Sequence, residues 1–229
     1  MLKIATVFSG IGAFKFALKR LNFPHKTIFA CDNSDINLTI DYDKELKTIK
    51  CLKSPKEKEE YCYKLYENNS KKHNFIRDTY LANYKCDYFF KDIRLLDGID
   101  FKRQIDILVG GSPCQSFSQI GRQMGLSDTR GTLFYDYARI IQEIKPKVFI
   151  YENISNLLRH DKGKTWNIMQ NVFGSLGYVL KYQLLDNRNY NIPQDRKRIF
   201  IIAFKNAHFA NNFKFPKPEK LKFSMQDFF

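Results

Sequence analysis

The sequence predicts an α/β fold, a doubly wound and mainly parallel sheet of seven strands. Three observations carry that expectation. Short apolar runs alternate with helix-spaced stretches along most of the chain. The first run, LKIATVF, leads into a glycine turn, SGIG, and then into a helical pattern. Polar or acidic residues close the later runs, at the carboxyl ends where open α/β sheets bind ligands.

The elements follow in order. Residues 2–8 read as a strand. In AFKFALKRL, residues Phe14, Ala17, Leu18 and Leu21 share one helical face. TIFACD reads as a second strand closed by Asp32, which completes a βαβ opening. The rhythm then breaks. Residues 36 to about 74 are dense in both charge signs, with weak helical periodicity, and read as a solvated insertion carrying one or two surface helices. FIRDTYLANY resumes as a helix, CDYFFKDI as a strand and DILVGG as another. TLFYDYARIIQEI places Leu133, Phe134, Tyr137, Ile140, Ile141 and Ile144 at helical spacing. KVFIYENI is the next strand and TWNIMQNVFGSL the next helix. YVLKYQLLD and RIFIIAF are the last two strands. One domain is expected over 1–213, with a C-terminal tail at 214–229.

With 229 residues the chain can bury a sizeable core. No apolar run approaches a membrane span, and the first residues lack the layout of a secretory signal, so a cytoplasmic protein is expected. None of the five cysteines stands in a CxxC pair, so neither a metal site nor a disulfide framework is expected. The formal net charge of +14 points to a polyanionic partner, because basic surfaces gain affinity by releasing counterions from phosphates.

Several residues could carry chemistry. The FSGIG turn lets backbone approach a ligand and offers free N–H groups. Asp32 is placed to accept from both hydroxyls of a ribose. Asp92, closing the third strand, could accept from an adenine amino group. Together they describe an adenosine-containing cofactor. Cys114, in GGSPCQSFSQIG, follows a strand end behind Pro113 and among polar residues, which suits a nucleophile better than a packed thiol. No histidine is near it in sequence, which disfavours a Cys–His protease. Glu152 emerges from an apolar strand, where partial burial would raise its pKa and let it donate a proton. Arg196 and Arg198 stand two apart in QDRKR and would share a face of an extended strand.

In this order the pieces resemble the DNA (cytosine-5)-methyltransferases. FSGIGAF is similar to the family's first motif, and DILVGGSPCQSFSQIGRQMGLSDTRGTLF to its nucleophile motif and following loop. KPKVFIYENISNLL resembles the ENV motif, with Ile154 for the usual valine, and NYNIPQDRKRIFIIAF the QxRxR motif. The resemblance implies the fold of the S-adenosylmethionine-dependent methyltransferases and transfer of methyl from S-adenosylmethionine to C5 of a flipped-out cytosine, leaving S-adenosylhomocysteine. It implies Cys114 as nucleophile, Glu152 at ring N3, and Arg198 with Arg196 at the O2 side. Phe8, Gly10, Ile11, Asp32, Asn33, Asp92, Ile93, Pro113 and Leu133 would line the cofactor pocket. Gln115, Ser118 and Arg130 would contact double-stranded DNA. Asn33 departs from the larger side chain usual in the family.

Family members usually continue into a target-recognition region and a last conserved segment, neither of which this sequence carries. A second polypeptide supplying recognition is therefore expected, with a truncated product as the bland alternative. A restriction–modification setting is the leading one. A tRNA cytosine-5 methyltransferase, or a non-catalytic DNA-binding relic, are the rival readings.

Overall fold

A computed structural model describes residues 1–113 and 133–228. Seven strands are present: β1 (Leu2–Val7), β2 (His25–Cys31), β3 (Tyr88–Phe90), β4 (Ile107–Gly110), β5 (Val148–Ile154), β6 (Val179–Asp186) and β7 (Lys197–Phe204). They form one sheet in the order β3-β2-β1-β4-β5-β7-β6. β1 pairs in parallel with β2 and with β4, and β2 with β3. β6 and β7 are antiparallel, from Val179 opposite Phe204 to Asp186 opposite Lys197. The seven-stranded, mostly parallel sheet expected from the sequence is the observed one.

The chain forms two compact units, one of residues 1–111 and 133–149, the other of 112–113 and 150–228 among the described residues. In the first, the last four residues of β1 and the last five of β2 are buried, as a central strand covered on both faces requires. Phe29 packs on Phe101 with centroids 4.8 Å apart. The first helix, α1 (Ala13–Arg20), starts after Gly12, whose φ is +96°. A Cβ there would stand 2.4 Å from Tyr84 Cε2, so both conformation and space demand glycine.

The expected insertion is built differently from a solvated spacer. It holds α2 (Tyr42–Lys50) and α3 (Pro55–Asn69), capped by the Asp41 and Ser54 side chains. A third helix, α4 (Phe75–Asn83), follows, capped by Asn74. Ile36, Leu38, Ile49, Cys62, Tyr66 and Leu95 make a buried cluster. Lys58, Cys62 and Tyr66 lie four apart on the buried face of α3. Lys58 is 5% exposed and donates to Asp97 at 2.7 Å and Asp100 at 2.8 Å. Glu59 accepts from the Phe89 N–H at 2.7 Å, tying α3 to β3. Burying a charge is tolerable only when it is paired and hydrogen-bonded in this way.

The helix α5 (Leu133–Ile144) belongs to the first unit and buries Phe134, Tyr137, Ile140, Ile141 and Ile144, the expected face apart from Leu133. In the second unit, α6 (Lys164–Ser175) buries Met169 and Phe173, and Phe173 meets Tyr151 of β5 edge-on at 5.7 Å. A short helix, α7 (Ala207–Asn212), follows β7. The segment after it is tied to the β6–β7 turn: the Glu219 N–H donates to Asn189 O, and the Lys222 N–H to Asn191 Oδ1. Among the described residues no helix is long and apolar enough to cross a membrane.

Candidate active site

The groups assigned from the sequence fall into two clusters, one in each unit. In the first unit, β1 ends in a tight turn. Ser9 donates its N–H to Cys31 O and its Oγ accepts from the Cys31 N–H, which locks the turn to the end of β2. Phe8 and Gly10 both have φ of +51°. The Gly10 N–H then donates to Asp32 Oδ2 at 2.8 Å, and the Ser34 N–H to Asp32 Oδ1 at 2.8 Å. Each Asp32 oxygen therefore accepts one backbone bond and keeps a further acceptor site. Burial raises the Asp32 pKa, and these two N–H groups pull it back down. Among the described residues a Cβ on Gly10 would meet nothing within 4 Å, which leaves open space beside this carboxylate, and Ile11 at its edge is exposed. A half-buried diacceptor beside open space and an apolar side chain suits a ribose and its base. Asn33 is folded back onto its own turn, donating to Ile36 O.

Asp92 differs from expectation. It is 1% exposed. Its oxygens accept from the Arg94 backbone N–H, from Arg94 Nε and Nη2, and from the Tyr66 hydroxyl at 2.5 Å. Arg94 in turn lies over the Tyr42 ring, 3.9 Å from its centroid. The insertion thus supplies Tyr66, which bonds Asp92, and Tyr42, which packs on Arg94, and a direct bond from Asp92 to an adenine amino group does not match this arrangement. Ile93, next in sequence, is buried, and Leu133 half-buried.

In the second unit, Glu152 sits on β5 with its carboxylate 3.1 Å from Arg198 Nε on β7. The two side chains are 38% and 24% exposed, enough for both to meet a ligand. Arg196 is exposed, and its carbonyl accepts from the Asn187 N–H. The strand begins at Lys197, so Arg196 and Arg198 are not a forked pair within it.

A buried polar network missed by sequence reasoning supports Glu152. The Ser112 and Tyr151 hydroxyls are 2.6 Å apart. Asn153 Nδ2 donates to Ser112 O at 2.9 Å and to Tyr151 Oη at 3.1 Å, while its Oδ1 accepts from the Ile154 N–H. Burial pushes the Tyr151 phenol up to about 12, so it remains a neutral donor at physiological pH. The network fixes β5 on either side of Glu152 and anchors Ser112, two residues before Cys114. The available signal was the alternating burial of β5, which puts polar Asn153 on an inward position and so demands partners. Pro113 is exposed. Cys114, Gln115, Ser118 and Arg130 lie outside the described residues. Among the described residues no group of three or more histidine, cysteine, aspartate or glutamate side chains could hold a metal ion.

A family model described as C-5 cytosine-specific DNA methylase matches residues 2–229. The type II methyltransferase M.SsoII of Shigella sonnei is 44% identical over 155 residues, covering 67% of this chain and 40% of that protein. The orphan methyltransferase M.SPRI of Bacillus phage SPR is 33% identical over 218 residues, covering 93% of this chain and 41% of that protein. The chain thus spans about two-fifths of the length of these curated relatives. The S. pombe Dnmt2 methyltransferase structure covers 99% of this chain and 52% of its own, with a TM-score of 0.57 and 19% identity, a likeness of fold.

Proposed function

This chain belongs to the C-5 cytosine-specific DNA methylase family, and on that premise we propose that it methylates C5 of a flipped-out cytosine in double-stranded DNA. The observation that carries the reading is the Glu152–Arg198 pair, an acid and a guanidinium held together at neighbouring strands. Such a pair matches a ring nitrogen beside a carbonyl, the N3–O2 edge of cytosine.

Cytosine C5 is a poor nucleophile on its own. The Cys114 thiolate adds to C6, and the C5–C6 π electrons move toward C5 and the ring. Glu152 gives a proton to N3, so negative charge does not accumulate there. Arg198 holds O2, with Arg196 able to approach the same side. When bound, S-adenosylmethionine supplies a methyl group on a cationic sulfur, which departs as the neutral thioether S-adenosylhomocysteine. Loss of the C5 proton to a base then restores the double bond, returns the N3 proton to Glu152 and expels Cys114 as thiolate. The first unit would hold the cofactor, with Asp32 on the ribose and Phe8, Gly10, Ile11, Asn33 and Ile93 around it. Pro113 and Leu133 would face its methyl end. Gln115, Ser118 and Arg130 would contact the DNA.

We place this activity in the cytoplasm, in a restriction–modification setting like that of the type II relative. We also propose that a second polypeptide supplies target recognition. The test is transfer of labelled methyl to duplex DNA or tRNA, with and without the product of the neighbouring reading frame. Incorporation into duplex DNA only when the two are mixed supports both parts. Incorporation into tRNA alone would overturn the DNA reading, and full activity of the single chain would overturn the second polypeptide.

A further inference from the structure

The insertion builds a second cleft in the first unit, which shares none of the residues assigned to the cofactor. It encloses about 300 Å3 between α3, the start of α4 and the end of β3. Two cations converge in it on one ring. The Arg77 guanidinium lies 4.7 Å from the Tyr63 centroid, and the Lys91 ammonium 4.5 Å from the same centroid. Lys71 and Lys72 add two more positive charges to its lining. Two acids also line it. Asp78 already accepts from His73 and Arg77 Nη1, and Glu67 forms no ion pair among the described residues.

Two polar atoms of this lining, Tyr63 Oη and Arg77 Nε, are buried without any hydrogen-bond partner among the described residues. Leaving a buried donor unmade is costly, and more so for a charged group, so each such atom calls for a reason. The convergence of like charges calls for one too. Burial lowers the Lys91 pKa and the nearby charge of Arg77 lowers it further, while Cys62, Glu67 and Asp78 act in the opposite sense without cancelling the shift. One ligand resolves both features, an anion that accepts several hydrogen bonds and sits between the two cations. Arginine with lysine and a phenol is a donor set suited to tetrahedral oxyanions.

We propose that this cleft binds a phosphate group, held by Arg77 and Lys91 and hydrogen-bonded by the Tyr63 hydroxyl. The group could belong to the DNA backbone or to a free phosphorylated small molecule, and the experiment separates these. The free-phosphate arm is independent of the methyltransferase reading; the DNA arm rests on DNA being the substrate.

The probes are inorganic phosphate, followed by 31P line broadening and calorimetry, and a short duplex titrated over a range of salt. The variants are the double substitution Arg77→Met with Lys91→Met, and the milder Tyr63→Phe. Circular dichroism and thermal melts report that each variant is folded. Saturable phosphate binding by the wild type, weakened about tenfold or more in the double variant and less in Tyr63→Phe, is the expected result. If the group comes from DNA, the double variant also binds duplex more weakly, with a salt slope reduced by about 1 to 2. If it comes from a small molecule, that slope is unchanged while phosphate binding is lost. Folded wild type and double variant that respond identically to both probes would overturn the proposal. Water would then be the partner of Tyr63 and Arg77.

Discussion

Arg198 Nε and Glu152 Oε1 stand 3.1 Å apart, across strands β7 and β5 that neighbour each other in the sheet but are separated by β6 in the chain. Each orients the other, and each would touch the same edge of the base. Glu152→Gln keeps the shape and removes the transferable proton. It should lower the single-turnover methylation rate by roughly 100- to 10,000-fold while leaving cofactor binding unchanged. Arg198→Lys keeps the charge and loses the planar fork, and should cost roughly ten- to a hundredfold. A rate within twofold of wild type for Glu152→Gln would remove Glu152 from the chemistry.

The cofactor pocket yields a pH dependence. Asp32 can accept from two ribose hydroxyls only as a carboxylate. Burial raises its pKa, so in the free protein it takes up a proton at a higher pH than an exposed aspartate does. Cofactor affinity should therefore be full near neutrality and decline as pH falls through that raised value. Asp32→Ala should bind weakly and show no such decline. Calorimetric titration across the acid range checks both, and a wild-type affinity that strengthens toward acid would contradict the assignment.

The Ser112–Tyr151–Asn153 network should matter for positioning more than for binding. Tyr151→Phe leaves the Ser112 hydroxyl and one Asn153 bond without their partner. A loss of about 1–3 kcal/mol of stability is expected from thermal melts. The methylation rate should fall while the cofactor dissociation constant holds. Cofactor affinity falling in step with the rate would mark the network as general scaffolding.

The insertion is pinned by a buried cation. Lys58→Met leaves Asp97 and Asp100 with uncompensated charge and should destabilise the protein by about 3–5 kcal/mol. Adding Asp97→Asn and Asp100→Asn should recover much of that. Denaturant melts of the single and triple variants decide the matter; a single variant as stable as wild type would show that α3 is held by its apolar face alone.

Much of this molecule can be read from its sequence, for identifiable reasons. The strands are apolar runs with polar ends, and burial of β1, β2 and β5 follows from them directly. Asp32 was legible because it directly follows a strand, and Glu152 and Arg198 because each is a charged residue within a largely apolar strand. Their partners were not. The Glu152–Arg198 pair depends on β7 lying next to β5, which places β6 at the edge, and no local pattern encodes that order. The packing of α3 was hidden because its buried stripe includes Lys58 and Glu59, which read as solvent-facing until Asp97, Asp100 and the Phe89 N–H are brought to them. The same concealment made Asp92 look available, since Tyr66 claims it only through the folded insertion, while Arg94 claims it from two residues along the chain. The helix α7 is short and polar, and its only sequence signal is Asn206, whose side chain caps it through the His208 N–H.

The most direct measurement concerns Cys114. A duplex carrying 5-fluorocytosine at the target position, given S-adenosylmethionine and the recognition polypeptide, cannot lose fluorine as a cation in the last step. The account predicts a stable covalent complex with one methyl group transferred, mapped to Cys114 by mass spectrometry and absent from Cys114→Ser. Methylation of ordinary cytosine with no trapped complex, or an adduct on another residue, would contradict it.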